Sequence, residues 1–210
     1  MIEERLFPAT TMPDADWWQA LWPDPDRVVQ ALHIRRGMTV VDLGCGPGYF
    51  TAAIARCVGD ATGQVIGLDL DPAMLEAARV ACEAFAHCRW LHGDAMELTR
   101  LIAAPVDYVL IANTFHGAPD KPALARAVAA ILKPTGRFAI VNWHARLREE
   151  TVVLDKPRGP RTELRLSPAD TCAAVGPAGL TLETLVELPP YHYGAIFVRC
   201  PDDHRRPRIT

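Results

Sequence analysis

Strand-like and helix-like segments alternate in this chain from residue 38 onward. Met38–Leu43 is a short, mostly β-branched run that ends at glycines, and residues 49–58 carry apolar side chains at helical spacing. Gln64–Leu70 predicts a second strand, and Asp71 followed by Pro72 predicts the start of a second helix. Such alternation is typical of a parallel sheet with helices packed against it.

The later elements first keep this order and then depart from it. Further strands are predicted at 89–92, 106–112 and 137–143, with a helix around 124–132. The link 189–192 between the last two strand-like segments is too short for a crossover helix, so those two strands are antiparallel. We predict an α/β fold: a Rossmann-like, doubly wound sheet of seven strands, mostly parallel with a terminal antiparallel strand pair, and with helices on both faces.

The domain organisation follows from the length of 210 residues and from the places where the alternation breaks. This length favours one domain. Residues 38–210 are expected to form it, with a charged excursion at 145–166 and a terminal hairpin at 180–199. Residues 1–37 hold three of the five tryptophans and predict a helical lid or cap over a site; the alternative is a helix that packs across the sheet edge.

Composition excludes several classes of protein. Half of the residues are hydrophobic and the formal net charge is −3, which gives no reason to expect a nucleic-acid-binding groove. No apolar run reaches the roughly 18 residues that span a bilayer, and the acidic start at 1–5 is unlike a signal peptide. The six cysteines form no C-x-x-C pair, which argues for reduced thiols and against a metal site. We expect a cytoplasmic monomer or homodimer with no nucleic-acid or membrane partner.

The sharpest motif is the turn at 44–48, where the first strand runs into Gly44, Gly46 and Gly48 and then into a helix. Glycines allow a tight turn and let a ligand lie against the backbone without a Cβ in the way. A dinucleotide-binding fingerprint reads G-x-G-x-x-G, whereas the spacing here is G-x-G-x-G and Tyr49 stands where the third glycine of that fingerprint is expected.

Polar residues follow three further strands. Asp69 ends the second strand about 20 residues after the glycines, where a carboxylate can accept hydrogen bonds from ribose hydroxyls. Asp71 is better placed as a helix cap. Asp94 follows the third strand and Asn113 the fourth. All of these segments lie at the carboxyl ends of parallel strands, where open α/β sheets bind their ligands.

Together these segments resemble the class I S-adenosylmethionine-dependent methyltransferases, especially small-molecule enzymes such as those of ubiquinone biosynthesis and the type 11 and type 25 methyltransferase domains. The resemblance is close over residues 38–143. It implies that S-adenosylmethionine is the cofactor and S-adenosylhomocysteine the product. The cofactor-binding residues that it implies are Asp42, Gly44, Cys45, Gly46, Asp69, Leu70, Asp94, Ala95 and Asn113.

Methyl transfer from a sulfonium by in-line displacement mainly requires alignment of the reactants and exclusion of water. A general base helps when the acceptor is an O–H or a protonated N–H group, and His116 is the first candidate for this catalytic role. The candidate substrate-binding residues are Trp18, His144, Tyr191 and His192, each equally compatible with a packing role. We expect Trp18, His116 and Tyr191 to border one pocket beside the sulfonium.

Two other functions stay open at the level of sequence. A Rossmann-type nicotinamide-dependent oxidoreductase fits a glycine-rich turn, although the G-x-G-x-G spacing and the terminal antiparallel pair count against it. A non-catalytic member of the family would keep the fold as an interaction module. The cysteines form no tight cluster for arsenite, and no basic, aromatic-interleaved stretch suggests a nucleic-acid substrate, so we expect a small-molecule acceptor.

Overall fold

A seven-stranded sheet lies at the centre of the computed structural model, which describes residues 13–59 and 61–200. Its strands are β1 (Thr39–Leu43), β2 (Gln64–Asp69), β3 (Cys88–His92), β4 (Val106–Ala112), β5 (Leu132–Trp143), β8 (Leu180–Leu188) and β9 (His192–Arg199), while β6 (Val152–Val153) and β7 (Lys156–Pro157) form a separate hairpin. The order across the sheet is β3-β2-β1-β4-β5-β9-β8. The first five strands are parallel, and β9 runs antiparallel to both of its neighbours.

Helices cover both faces of this sheet. They are α1 (Ala15–Leu21), α2 (Pro25–Ala31), α3 (Tyr49–Val58), α4 (Pro72–Ala81), α5 (Leu98–Leu101), α6 (Lys121–Ile131) and α7 (Pro168–Val175). Because successive strand residues point to opposite faces, Val109 of β4 packs with α5, α6 and α7, whereas Leu110 packs with α1, α2 and α3. The predicted fold class, with its antiparallel end pair and two helical layers, is confirmed.

Some of the predicted boundaries lie outside the described residues. Of the helical segment expected at 1–37, residues 1–12 are not described, and the remainder contains α1 and α2. The last ten residues of the expected 38–210 domain are likewise not described. Within the described ranges, no helix has the length and apolar character required to cross a membrane.

Several helices begin where the local sequence dictates. The Asp24 and Asp71 carboxylates accept hydrogen bonds from backbone N–H groups of the following turn at 3.0 and 2.8 Å. Ser167 and Asp170 form a reciprocal capping box at the start of α7. A proline follows each of these three caps, where its missing N–H leaves no hydrogen bond unmade. These ends are therefore specified by neighbouring residues and not by tertiary packing.

Strand β5 is longer than the sequence suggests. The sequence predicts a turn at 133–136 and a strand only from Arg137, whereas β5 already begins at Leu132. Val106 of β4 pairs with Leu132 and Tyr108 pairs with Arg137, so the register shifts between these two pairs. The four intervening residues of β5 are accommodated as a bulge, which is why they carry a turn-like sequence.

Residues 145–166, the predicted excursion, are built around the buried side chain of Arg165. Its guanidinium donates hydrogen bonds to the carbonyl oxygens of Arg146, Arg158 and Pro160 at 3.2, 3.0 and 3.1 Å, and to Thr151 Oγ1 at 2.9 Å. Burial of a guanidinium is tolerated when its N–H groups are satisfied in this way. This 145–166 segment is therefore tied together from within by one side chain.

Candidate functional site

A cavity of about 750 Å³ opens at the carboxyl edge of the parallel strands. Ligand sites for small molecules typically have volumes of a few hundred to about 1,000 Å³. The cavity is lined by all nine residues that the sequence nominates for the cofactor, namely Asp42, Gly44, Cys45, Gly46, Asp69, Leu70, Asp94, Ala95 and Asn113. Trp18 of α1 and His116 line it as well. The structure thus brings most of the predicted site together in one place.

The glycine turn forms the floor of this cavity. Gly44, Gly46 and Gly48 have φ values of 71°, 54° and 86°, the left-handed region that other residues enter only with strain. A Cβ on Gly44 would lie 3.2 Å from Thr114 Oγ1, so the turn also packs tightly against the loop after β4. Gly44 and Gly46 therefore present bare backbone to a ligand.

The Asp69 carboxylate lies directly beside this turn, at the end of β2. Its Oδ2 accepts a hydrogen bond from the Gly46 N–H at 2.8 Å, and its Oδ1 accepts one from the Asp71 N–H at 2.9 Å. Burial raises the pKa of Asp69 above its usual range. A carboxylate offers about four lone-pair positions, so two acceptor positions are left for hydroxyl groups of a ligand.

Asp42, at the end of β1, lies deeper than Asp69. Thr51 Oγ1 donates a hydrogen bond to Asp42 Oδ2 at 2.6 Å, which links β1 to the first turn of α3 beneath the glycines. Burial raises the pKa of Asp42 to about 6. This carboxyl group therefore titrates close to neutral pH.

We expect Asp42→Asn to change how stability depends on pH. The pKa is about 6 in the folded protein against 3.8 in the unfolded chain, so the folded state holds this proton more tightly. The resulting stabilisation is complete below the unfolded pKa and is lost as the pH rises through the folded pKa. Urea unfolding should show the advantage of the variant over the wild type growing by about 2 kcal/mol from about pH 4 to about pH 7. Unfolding free energies that change with pH in parallel for the two proteins would contradict this. The control is Asp120→Asn, at the exposed N-cap of α6, which should not show this gain.

Asn113 and Asp94 complete the wall formed by the strand ends. Asn113 has a left-handed backbone with φ of 60°, and both polar atoms of its buried amide lack a hydrogen-bond partner within the described residues. A buried unpaired amide is destabilising by about 1–3 kcal/mol, which a ligand that bonds to it would recover. Asp94 accepts a hydrogen bond from the Met96 N–H at 2.8 Å through Oδ1. Its second oxygen accepts no hydrogen bond from the described residues.

The residues expected to bind substrate divide into two groups. Trp18 and His116 line the cavity, whereas His144, Tyr191 and His192 do not. His144 follows β5, and its Nε2 lies 3.0 Å from Oε2 of Glu187, which belongs to β8 of the terminal strand pair. The pocket expected to be bordered by Trp18, His116 and Tyr191 is therefore lined by the first two only.

The antiparallel register of β5 and β9 explains this outcome, because it pairs Trp143 with His192. The His192 ring is enclosed by Trp22 and Trp143 at centroid distances of 4.4 and 4.2 Å, and its burial lowers the pKa of His192 well below the usual value. Tyr191 stacks on the Trp143 ring at a centroid distance of 5.9 Å, and its hydroxyl donates a hydrogen bond to the Val152 carbonyl oxygen at 2.9 Å. Trp143, and not Tyr191, faces the cavity.

Sequence reasoning missed several residues that line the cavity. Trp17 and Trp143 contribute aromatic surface, and Arg148, Arg158 and Arg161 of the 145–166 segment contribute positive charge. The high charge of this segment was a visible signal, but a charged loop between regular elements is ordinarily solvated. Nothing in the spacing of these arginines distinguishes a binding wall from such a loop.

Comparisons with known proteins agree with this geometry. A family model described as a methyltransferase domain matches residues 40–136. The demethylmenaquinone methyltransferase of Bacillus licheniformis is 33% identical over 117 residues, which is 56% of this chain and 50% of that protein. Its namesake from Staphylococcus aureus is 34% identical over 110 residues, which is 52% of this chain and 45% of that protein. The chain thus spans about half the length of the curated relatives it matches.

The fold is shared over a longer range than the sequence similarity. The crystal structure of a SAM-dependent methyltransferase from Aquifex aeolicus matches with a TM-score of 0.72 and 23% identity, covering 88% of this chain and 93% of that one. At this level of identity the likeness concerns the fold alone. Residues 40–136 therefore match a methyltransferase domain, and the seven-stranded sheet that they help to build has the fold of a SAM-dependent methyltransferase structure.

Proposed function

We propose that this chain is an enzyme that transfers the methyl group of S-adenosylmethionine to a small-molecule acceptor and leaves S-adenosylhomocysteine. The observation that carries the proposal is the Asp69 carboxylate, hydrogen-bonded to the Gly46 N–H at the floor of a cavity of about 750 Å³. When bound, S-adenosylmethionine supplies an electrophilic methyl group on a sulfonium. The residues of the chain hold and align the reactants, which is the main requirement of such a displacement.

The sheet edge provides the cofactor half of the proposed site. Asp69 accepts hydrogen bonds from ribose hydroxyls, and Gly44 and Gly46 allow the ligand to approach the main chain. The second oxygen of Asp94 and the backbone of Ala95 are available to the adenine ring. The buried amide of Asn113 finds partners in the polar part of the ligand.

The acceptor half lies between α1 and the 145–166 segment. Trp17, Trp18 and Trp143 line it and exclude water, which strengthens electrostatic interactions in the site. His116, buried after β4, is the residue we assign as general base where the acceptor must lose a proton. The names of the Bacillus and Staphylococcus relatives, which refer to demethylmenaquinone, support a small-molecule acceptor. The proposal includes a cytoplasmic monomer or homodimer that acts without a nucleic-acid or membrane partner.

Ligand-dependent unfolding separates this proposal from its alternatives. S-Adenosylhomocysteine at about 100 times its Kd should stabilise the protein by about 2.7 kcal/mol, while NADH at the same concentration should not stabilise it. Stabilisation by NADH alone would replace the proposal by an oxidoreductase. Incubation with methyl-labelled S-adenosylmethionine and a pool of small metabolites should then yield a labelled product. Binding without any labelled product would favour the non-catalytic interaction module.

A further inference from the structure

Charge is divided between the two walls of the cavity. The acidic residues that line it all come from strand ends of the sheet, and they are Asp42, Asp69, Asp71 and Asp94. The basic residues that line it all come from the 145–166 segment, and they are Arg148, Arg158 and Arg161. The acidic wall suits a cationic cofactor. The basic wall therefore suits a different part of the bound ligands, one with negative charge.

Arg158 is held in a fixed position on the basic wall. Its backbone N–H donates to the Thr151 carbonyl oxygen at 2.8 Å, and its carbonyl oxygen accepts from Thr151 Oγ1 at 2.9 Å and from an Arg165 Nη at 3.0 Å. Its guanidinium carbon lies 5.0 Å from the centre of the Trp17 ring. An aromatic face attracts a guanidinium without using its in-plane N–H donors.

Within the described residues, no acceptor uses these donors. The buried Nε of Arg158 has no hydrogen-bond partner within the described residues, and none of their carboxylates forms an ion pair with its guanidinium. Arg148 lines the same cavity; its backbone N–H donates to Thr162 Oγ1 at 3.0 Å, and its Nε donates to the carbonyl oxygen of Gly159, the residue after Arg158, at 3.1 Å. These two bonds leave the terminal nitrogens of Arg148 for a ligand. Arg161 lies 3.9 Å from Glu163, and both side chains are exposed, so this pair is weak.

We propose that the methyl acceptor carries an anionic group, a carboxylate or a phosphate, which Arg158 and Arg148 bind on the basic wall of the cavity. This inference rests on the proposed function and specifies the substrate class of the same site. A planar guanidinium with free in-plane donors binds a carboxylate or a phosphate through two parallel hydrogen bonds. The acidic wall repels the same group, so the acceptor is oriented with its other end toward the sulfonium.

The α-carboxylate of the cofactor is a second anionic group that these arginines could bind. The first arm of the test distinguishes it from an anionic group on the acceptor. Calorimetry compares S-adenosylhomocysteine with 5′-methylthioadenosine, which lacks the amino-acid part, on wild type and Arg158→Gln. We expect both affinities to stay within about twofold of wild type, because Arg158 serves the acceptor. A loss of about ten-fold or more for S-adenosylhomocysteine only would assign Arg158 to the cofactor and overturn the proposal.

The second arm uses anions of defined chemistry on protein saturated with S-adenosylhomocysteine. Benzoate and phenyl phosphate are titrated against their uncharged counterparts benzamide and phenol. We expect at least one anion to bind about ten-fold or more tightly than its counterpart, and Arg158→Gln and Arg148→Gln to remove that preference. Arg126→Gln, on the exposed side of α6, should retain it and serves as the control.

The possible results separate the two proposals. The anionic acceptor is overturned if each anion and its uncharged counterpart bind with equal affinity, or if no anion binds with a Kd below about 10 mM. The proposed function still stands in that case, provided that S-adenosylhomocysteine binds. A preference that persists in both arginine variants also overturns it. If the wild type does not bind S-adenosylhomocysteine, the proposed function itself is wrong. Retained binding of S-adenosylhomocysteine by each variant shows that the variant is folded.

Discussion

Gly46→Val should lower the affinity for S-adenosylhomocysteine by about 100-fold or more, as measured by calorimetry. Gly46 has φ of 54°, a conformation in which a Cβ is strained by about 1–2 kcal/mol, and valine adds two methyl groups at the floor of the cavity. The same residue donates its N–H to Asp69 Oδ2 at 2.8 Å. A shift of the turn therefore removes the backbone surface and also misplaces the carboxylate.

Gly179→Val is the matched control. Gly179 has φ of 73° after α7, and a Cβ there would meet no atom within 4 Å. The backbone strain is thus comparable, but the residue does not line the cavity. Both variants should lose stability in urea by similar amounts, and only Gly46→Val should lose the ligand. Unchanged affinity in Gly46→Val would show that the cofactor does not lie against this turn.

Asp69→Ala should weaken S-adenosylhomocysteine binding by about 100-fold or more in the same assay. The substitution removes the two free acceptor positions assigned to the ribose, and hydrogen bonds to a charged partner contribute about 1.5–3 kcal/mol each. It also leaves the backbone N–H groups of Gly46 and Asp71 without the hydrogen bonds that they donate to this carboxylate. The glycine turn loses part of its support as well as its ligand contact.

Asp71→Ala distinguishes this role from a general effect of removing a carboxylate. Asp71 Oδ1 accepts a hydrogen bond from the Ala73 N–H at 2.8 Å and caps α4. Its loss should destabilise the protein by about 1 kcal/mol and change the affinity much less than Asp69→Ala does. An equal or larger loss of affinity in Asp71→Ala would mean that Asp69 is wrongly assigned as the ribose-binding residue.

Features that depend on neighbouring residues were predictable from the sequence. The capping box of Ser167 and Asp170 is a local motif, and it starts α7 as expected. The antiparallel end of the sheet followed from the length of the link 189–192 alone, because four residues cannot contain a crossover helix. The cofactor residues share a cavity because parallel strands bring their carboxyl ends to the same edge.

The position of His192 shows what such reasoning could not reach. The sequence places Trp143 at the end of one strand and His192 in the link before another, but it does not show that the two residues lie directly opposite each other. That pairing is set by the register of β5 and β9, which encloses the imidazole between tryptophans and keeps Tyr191 off the cavity. A polar residue near a predicted site and a polar residue packed into the core have the same sequence signature.

Arg165 was equally hidden, for a different reason. Arginine in a charged segment is ordinarily solvent-exposed, whereas this side chain is buried. Its burial depends on carbonyl oxygens that converge on it from three places in the segment. Backbone acceptors are present at every residue, so the sequence carries no mark of where they will converge.

That mode of attachment has an evolutionary consequence. Because Arg165 binds the main-chain oxygens of Arg146, Arg158 and Pro160, the path of the segment does not depend on which side chain stands at position 158. A point mutation there alters what the cavity wall offers to a ligand and leaves the hydrogen bonds to Arg165 in place. Selectivity at this wall can therefore change one side chain at a time, without altering the residues at the strand ends that line the other part of the cavity.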